Sequence, residues 1–166
     1  MSTRLLVTGG TLDKIYNPLS GELMFGKTHV NDMLGRARFT GKSVVETLFM
    51  KDSLEMTDSD RRAIVTACEA SEEDQIVITH GTDTMELTAK AINLSSQIGN
   101  KTIVLTGAMV PYSMGEQSDA LFNLGNALAY AQALPSGVYV AMNGQSFPAE
   151  SVRKDTTIGV FQFIEQ

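Results

Sequence analysis

The segments Ile76-Val77-Ile78 and Ile103-Val104-Leu105 are apolar at every position rather than at alternate ones. A strand with one wet face alternates. A strand without a polar side is buried on both faces, as in the middle of a parallel sheet covered by helices. The rest of the chain keeps the matching rhythm: strand-like runs at 4–8, 43–50, 75–79, 102–106 and 137–142 are separated by helix-like runs at 29–38, 57–71, 83–96 and 118–133. This alternation predicts an α/β fold, one domain over residues 1–166, with three layers and a mostly parallel sheet covered by helices on both faces. Thr28 is placed to cap the first helix, and Thr57 with Asp60 forms an acidic variant of the capping box at the second. Residues 12–27, with Asn17-Pro18 and Ser20-Gly21, read as a long polar loop of the length found in lids and binding segments, and are expected to be mobile.

Composition removes several classes of function. The apolar fraction of 43% excludes a disordered chain. No apolar run approaches the roughly 18–20 residues needed to cross a bilayer. Met1-Ser2-Thr3-Arg4 enters a strand-like run without the apolar stretch of a secretory signal, so a cytoplasmic location is expected. A net charge of −6 without clustered Lys and Arg argues against nucleic-acid binding. Cys68 is the single cysteine, which excludes an internal disulfide and a multi-thiolate metal site, and its apolar surroundings read as a small buried side chain. His29 and His80 stand alone, without metal-ligand spacing. Neither a metal nor a cofactor is expected.

Two threonine-rich segments close apolar runs: Thr8-Gly9-Gly10-Thr11 follows Leu5-Leu6-Val7, and His80-Gly81-Thr82-Asp83-Thr84 follows Ile76-Val77-Ile78. Right-handed crossovers put the carboxyl ends of parallel strands on one edge, where open α/β sheets bind ligands. That edge would carry Thr8 and Thr11, then Asp52 and Ser53, then His80, Thr82, Asp83 and Thr84, then Thr106, Gly107 and Ala108. The pattern points to a site built around a threonine nucleophile. The glycines let a ligand approach the main chain, whose free N–H groups suit an anion or oxyanion.

These residues resemble the signature segments of bacterial-type L-asparaginases: Thr8-Gly9-Gly10-Thr11, and Ile78 through Glu86 around His80-Gly81-Thr82-Asp83-Thr84. The resemblance continues through Gly107-Ala108-Met109, Pro111, Ser118-Asp119, Asn123-Leu124, Met142-Asn143 and Val152-Arg153-Lys154, covering residues 4 to about 163. It implies a flavodoxin-like N-terminal asparaginase domain, and a half-length form, since the chain stops where that domain ends. The implied reaction is hydrolysis of a small amino-acid amide, L-asparagine first and L-glutamine second, through a threonyl acyl-enzyme. Thr11 would be the nucleophile, with Thr82, Asp83 and Lys154 as a second catalytic set and Tyr16 as the tyrosine that assists Thr11. Asp83 would also take the substrate's ammonium, Ser53 its α-carboxylate, and the main chain at Gly81 and Ala108 the rest of the amide.

Each residue also has a plainer reading. Asp83 and Ser53 suit caps or turns, and Arg153-Lys154-Asp155 suits a solvated face. The chain departs from the family at Leu54, where Gln or Ser commonly helps bind the amino-acid head group. It departs again after Thr11, where Leu12-Asp13-Lys14 replaces small residues and places two charges beside the nucleophile. Without a second domain, the apolar end Val160-Phe161-Gln162-Phe163-Ile164 calls for a homo-oligomer, with a dimer as the first guess. The competing function is a non-catalytic amino-acid-binding or regulatory module. An amidase subunit of a tRNA-dependent amidotransferase is disfavoured by the acidic charge. A nucleotide site is disfavoured because no G-x-G-x-x-G follows the first strand.

Overall fold

The computed structural model describes residues 2–164. Five parallel strands form the centre of the main sheet: β1 (Ser2–Gly9), β4 (Lys42–Lys51), β5 (Gln75–Thr79), β6 (Thr102–Thr106) and β7 (Gly137–Met142). Their order is β4-β1-β5-β6-β7, with β8 (Gln145–Pro148) added antiparallel at the edge beside β7. Register alone explains the apolar runs. Leu6, Ile78, Leu105 and Val140 stand side by side across four strands, as do Leu5, Val77, Val104 and Tyr139 one residue earlier.

Period-two alternation sends these two rows to opposite faces. The Leu6 row packs with Ile64 and Cys68 of α2 (Asp58–Ala70) and Met85, Ala89 and Ile92 of α3 (Met85–Asn93). The Leu5 row packs with Val30, Met33 and Leu34 of α1 (Val30–Arg36) and Leu124, Ala127 and Leu128 of α4 (Ala120–Ala133). The result is the three-layer α/β fold anticipated from the sequence. Cys68 is buried, and its apolar surroundings push the thiol up to about 12.

Local rules set the helix starts. Thr57 Oγ1 accepts from the Asp60 N–H, and the Asp60 carboxylate accepts from the Thr57 N–H, completing the capping box at α2. The Lys51 ammonium also bonds the Asp60 carboxylate, holding it down to about 2. Thr28 falls one residue before the N-cap His29, yet its hydroxyl accepts from the Val30 N–H at 3.2 Å.

Residues 12–27 are not a continuous loop. After a 3-10 turn at Thr11–Asp13, they form an antiparallel hairpin of β2 (Lys14–Asn17) and β3 (Glu22–Phe25). The turn residues Asn17, Pro18, Ser20 and Gly21 sit at its tip. A second hairpin, β9 (Val152–Asp155) with β10 (Val160–Phe163), lies outside the main sheet. It is anchored by Val152 and Phe161, both buried in the α2/α3 layer. Among the described residues, no helix is long and apolar enough to cross a membrane.

Candidate active site

The strand order makes β1 and β5 neighbours whose onward connections leave in opposite directions, β1 towards β4 and β5 towards β6. This is the topological switch point, where open α/β sheets place ligands. The two threonine turns leave from its two sides, and they touch. A Cβ on Gly10 would lie 2.5 Å from the Gly81 nitrogen, and one on Gly9 would lie 2.5 Å from the Lys51 nitrogen. Both glycines have positive φ, 103° at Gly9 and 82° at Gly10, so the close approach and the backbone angle demand glycine together. Thr8 tightens the same junction, its buried hydroxyl donating to the Thr79 carbonyl at 2.8 Å.

Thr11 is half-buried in the 3-10 turn after β1, and its hydroxyl makes no hydrogen bond among the described residues. On the other side, Lys154 Nζ donates to Thr82 Oγ1 at 2.8 Å and to Asp83 Oδ1 at 2.6 Å. The Lys154 side chain is only 8% exposed, so this is no solvated face. Asp83 does not cap a helix. Its carboxylate takes the lysine, and α3 begins at Met85 without a side-chain cap of its own.

Ser53 fills the capping role from another element. Its buried hydroxyl accepts from the N–H groups of Asp83 (3.1 Å) and Thr84 (3.3 Å). Thr84 Oγ1 in turn donates to the Ser53 carbonyl at 2.7 Å. The neighbouring Leu54 is 75% exposed and offers no polar group.

His80 braces the second turn from within. It is fully buried, with Nδ1 2.7 Å from the Gly81 carbonyl and Nε2 2.8 Å from Thr88 Oγ1. A carbonyl only accepts, so Nδ1 carries the proton and Nε2 accepts from Thr88. Burial drives its pKa down to about 4, so the ring is neutral.

The two charges after Thr11 are already engaged. Asp13 is fully buried, and its carboxylate accepts from Thr28 Oγ1 and from the His29 N–H, tying the turn to α1. Burial raises its pKa. Lys14 Nζ binds Asp52 at 2.8 Å and lies 5.4 Å from the centre of the Phe25 ring, so the hairpin is strapped to the segment preceding Ser53. Tyr16 lies on the same hairpin, 56% exposed, and its hydroxyl makes no hydrogen bond among the described residues.

Four further residues position these groups, and none of them stands out individually in the sequence. The Glu86 carboxylate accepts from the Lys154 N–H at 3.1 Å. Asn143 Oδ1 accepts from the Phe161 N–H at 2.8 Å, fixing the opposite strand of the lysine-bearing hairpin. Asp119 accepts from the N–H groups of Met109 and Val110, while Asn123 Nδ2 donates to the Gly107 carbonyl, so the buried Ala108 is clamped on both sides. All four lie within the segments quoted for the resemblance, which was the only signal available for them. Among the described residues, no group of three or more His, Cys, Asp or Glu is placed to hold a metal ion.

A doubly wound α/β domain with hydroxyls, a shielded lysine and a carboxylate at its switch point belongs to the class of open α/β folds whose ligand sites lie at the strand ends. A family profile described as "Asparaginase, N-terminal" matches residues 3–165, and the chain belongs to the asparaginase family. It is 31% identical to the L-asparaginase of Thermococcus kodakarensis, over 98% of this chain and 50% of that protein. It is 33% identical to L-asparaginase 2 of Escherichia coli, over 96% of this chain and 48% of that one. A glutaminase-asparaginase of Acinetobacter glutaminasificans is 44% identical over 55% of this chain and 28% of its own length. The solved structure of the Thermococcus kodakarensis enzyme superposes with a TM-score of 0.87, covering 99% of this chain and 51% of that one. The chain therefore spans about half or less of the relatives it matches.

Proposed function

We propose that this protein is an asparaginase-like amidohydrolase that cleaves the side-chain amide of L-asparagine, with L-glutamine as the second substrate, to a carboxylate and ammonia. The observation that carries the reading is the Lys154 ammonium, shielded from water and bonded to both Thr82 Oγ1 and Asp83 Oδ1. The turn that carries Thr82 and Asp83 packs backbone to backbone against the one that ends in Thr11. The relatives' names, L-asparaginase and glutaminase-asparaginase, agree with it.

In this reading the Thr11 hydroxyl attacks the side-chain amide carbon. The amide nitrogen takes up a proton and leaves as ammonia, and water then cleaves the Thr11 ester to regenerate the hydroxyl. Lys154 donates to Thr82 Oγ1 and so lowers the cost of negative charge on that oxygen, while Asp83 holds the ammonium in place. Asp83 is 45% exposed in its side chain and keeps a free edge for the substrate's α-ammonium. Ser53 binds the α-carboxylate, the main chain at Gly81 and Ala108 receives the amide, and Tyr16 assists Thr11 from the hairpin, which moves over the site. Residues 1–166 act as one catalytic domain without metal or cofactor.

The assay is ammonia release from asparagine, glutamine and simple amides, run beside Thr11→Ala and Lys154→Met. Release that survives Thr11→Ala, or no release from any small amide, rejects the assignment. Exposed Leu54 favours a second reading, an amino-acid-binding or regulatory module. Aspartate binding without asparagine turnover would select it.

A homo-oligomer, a dimer first, is proposed to cover Ile158, Phe163 and Ile164, which are 67%, 51% and 41% exposed, while Phe161 is already buried within the chain. Sedimentation as a monomer at micromolar concentration would reject it. The location proposed is the cytoplasm, with neither nucleic acid nor membrane as a partner.

A further inference from the structure

Ser53 Oγ accepts two N–H bonds, from Asp83 and Thr84, at the entrance to α3. Its own proton is left, and no group among the described residues accepts it. A buried hydroxyl in that state presents a donor outward, polarised by the two N–H groups behind it, and suits an oxygen with negative charge.

Behind this cradle stands Arg61 of α2. Its Nη2 donates to Thr84 Oγ1 at 3.3 Å, and the same hydroxyl donates on to the Ser53 carbonyl. Its Nη1 donates to the Met56 carbonyl at 3.3 Å, so one guanidinium holds the far end of the 3-10 turn Ser53–Glu55 as well. The charge is poorly neutralised. The side chain is 13% exposed, and the one carboxylate paired with it among the described residues, Asp58, lies at 3.4 Å and is 89% exposed. Water screens such a contact heavily. Arg61 Nε is buried without a partner. Two nearby cations are already paired, Lys154 with Asp83 and Lys14 with Asp52, while Glu55 of the turn itself is exposed and makes no bond to Arg61 among the described residues.

We propose that Arg61 is a positioning residue that sets ligand specificity: gripping Thr84 and Met56, it fixes the Ser53 cradle and makes it electropositive, so that a ligand seated there must carry a carboxylate. This rests on the amino-acid amide reading above. It assigns to Arg61 a preference for substrates with a free α-carboxylate, a selection that exposed Leu54 is not equipped to make.

The test uses the full chain and three ligands: L-asparagine, its α-methyl ester, and L-aspartate followed by calorimetry. Arg61→Met is expected to raise the KM for asparagine and the Kd for aspartate about tenfold, the scale of a lost charged contact. kcat should hold within about twofold, and the KM of the methyl ester should not change. Equal losses for asparagine and its ester would show a merely structural residue and overturn the proposal, as would no change in either. Should Arg61→Met not fold, Arg61→Lys carries the test, because it keeps the charge and loses the two-ended grip. An intermediate loss confined to carboxylate ligands supports the proposal, and unaltered constants overturn it. If the unaltered protein binds aspartate without turnover, the calorimetric comparison alone decides on Arg61. If the unaltered protein neither binds aspartate nor releases ammonia, the functional reading itself falls, and this proposal with it.

Discussion

Gly10 and Gly81 meet backbone to backbone, with room for no side-chain atom between them: a Cβ on Gly10 would come within 2.6 Å of the Gly81 Cα. This contact, more than any side-chain bond, sets the separation of Thr11 from the Thr82–Asp83–Lys154 group. It joins two turns about seventy residues apart into one site.

Gly10→Ala is therefore expected to damage both stability and activity. The residue sits at φ 82°, and a Cβ would strike backbone that cannot rotate away. Positive φ and steric overlap together should cost on the order of 2–3 kcal/mol. Urea unfolding measures the loss, and ammonia release should fall further than the unfolded fraction explains. Unchanged stability would mean that the turns can part freely.

The neutral His80 predicts a pH dependence of stability with a definite sign. Burial lowers its pKa from 6.5 to about 4, so in that window the unfolded chain takes a proton that the folded chain refuses. The contribution is complete above the unfolded value and is lost as pH falls towards the folded one. Between roughly pH 7.5 and pH 5 it amounts to about 2 kcal/mol. His80→Asn keeps a donor for the Gly81 carbonyl and does not titrate. Its unfolding free energy should stay flatter across this window than that of the unaltered protein, by the same amount. Parallel profiles would reject the buried neutral ring.

The sheet was legible because its evidence is local. Burial on both faces leaves Ile76-Val77-Ile78 and Ile103-Val104-Leu105 without polar positions, and the Leu6–Ile78–Leu105–Val140 row follows once the strands are parallel. The 14–25 hairpin is not legible in the sequence, because Asn17-Pro18 and Ser20-Gly21 are turn residues and the strands on either side are only four residues long. Asp13 differs for another reason. The sequence puts its charge beside the nucleophile, whereas in the fold its carboxylate is buried and occupied with Thr28 and His29. Glu86 and Asp119 carry no local signal at all: one supports a lysine 68 residues away, the other a main-chain loop ten residues before it.

Asp119 supplies the third prediction. Its carboxylate accepts from the Met109 and Val110 N–H groups and from Asn123 Nδ2. Asp119→Ala strands those donors beside the Ala108 main chain assigned to the substrate amide. Losing a charge-assisted acceptor should cost about 1–3 kcal/mol in stability. If the loop holds the amide, kcat/KM should fall for asparagine and for simple amides alike. Activity equal to that of the unaltered protein would remove the Gly107–Val110 loop from the site.

Glu86 supplies the last prediction, because Lys154 reaches Thr82 from a hairpin that is not part of the main sheet. The carboxylate meets the lysine's own N–H at 3.1 Å, setting where the side chain begins. Glu86→Gln keeps an acceptor oxygen at that place and should retain kcat within a few-fold. Glu86→Ala removes it and lets the β9 backbone shift, and misplacement by about 1 Å can cost about a hundredfold in rate. The loss should fall on kcat more than on KM, since Ser53 and the Ala108 loop are untouched. A general loosening of the fold would instead lower the unfolding midpoint and depress Glu86→Gln as well. The combination that identifies a positioning role is therefore a slow Glu86→Ala, an active Glu86→Gln and similar unfolding curves for both. Equal activity in the two variants would leave Val152, Phe161 and Asn143 as the groups that hold the hairpin.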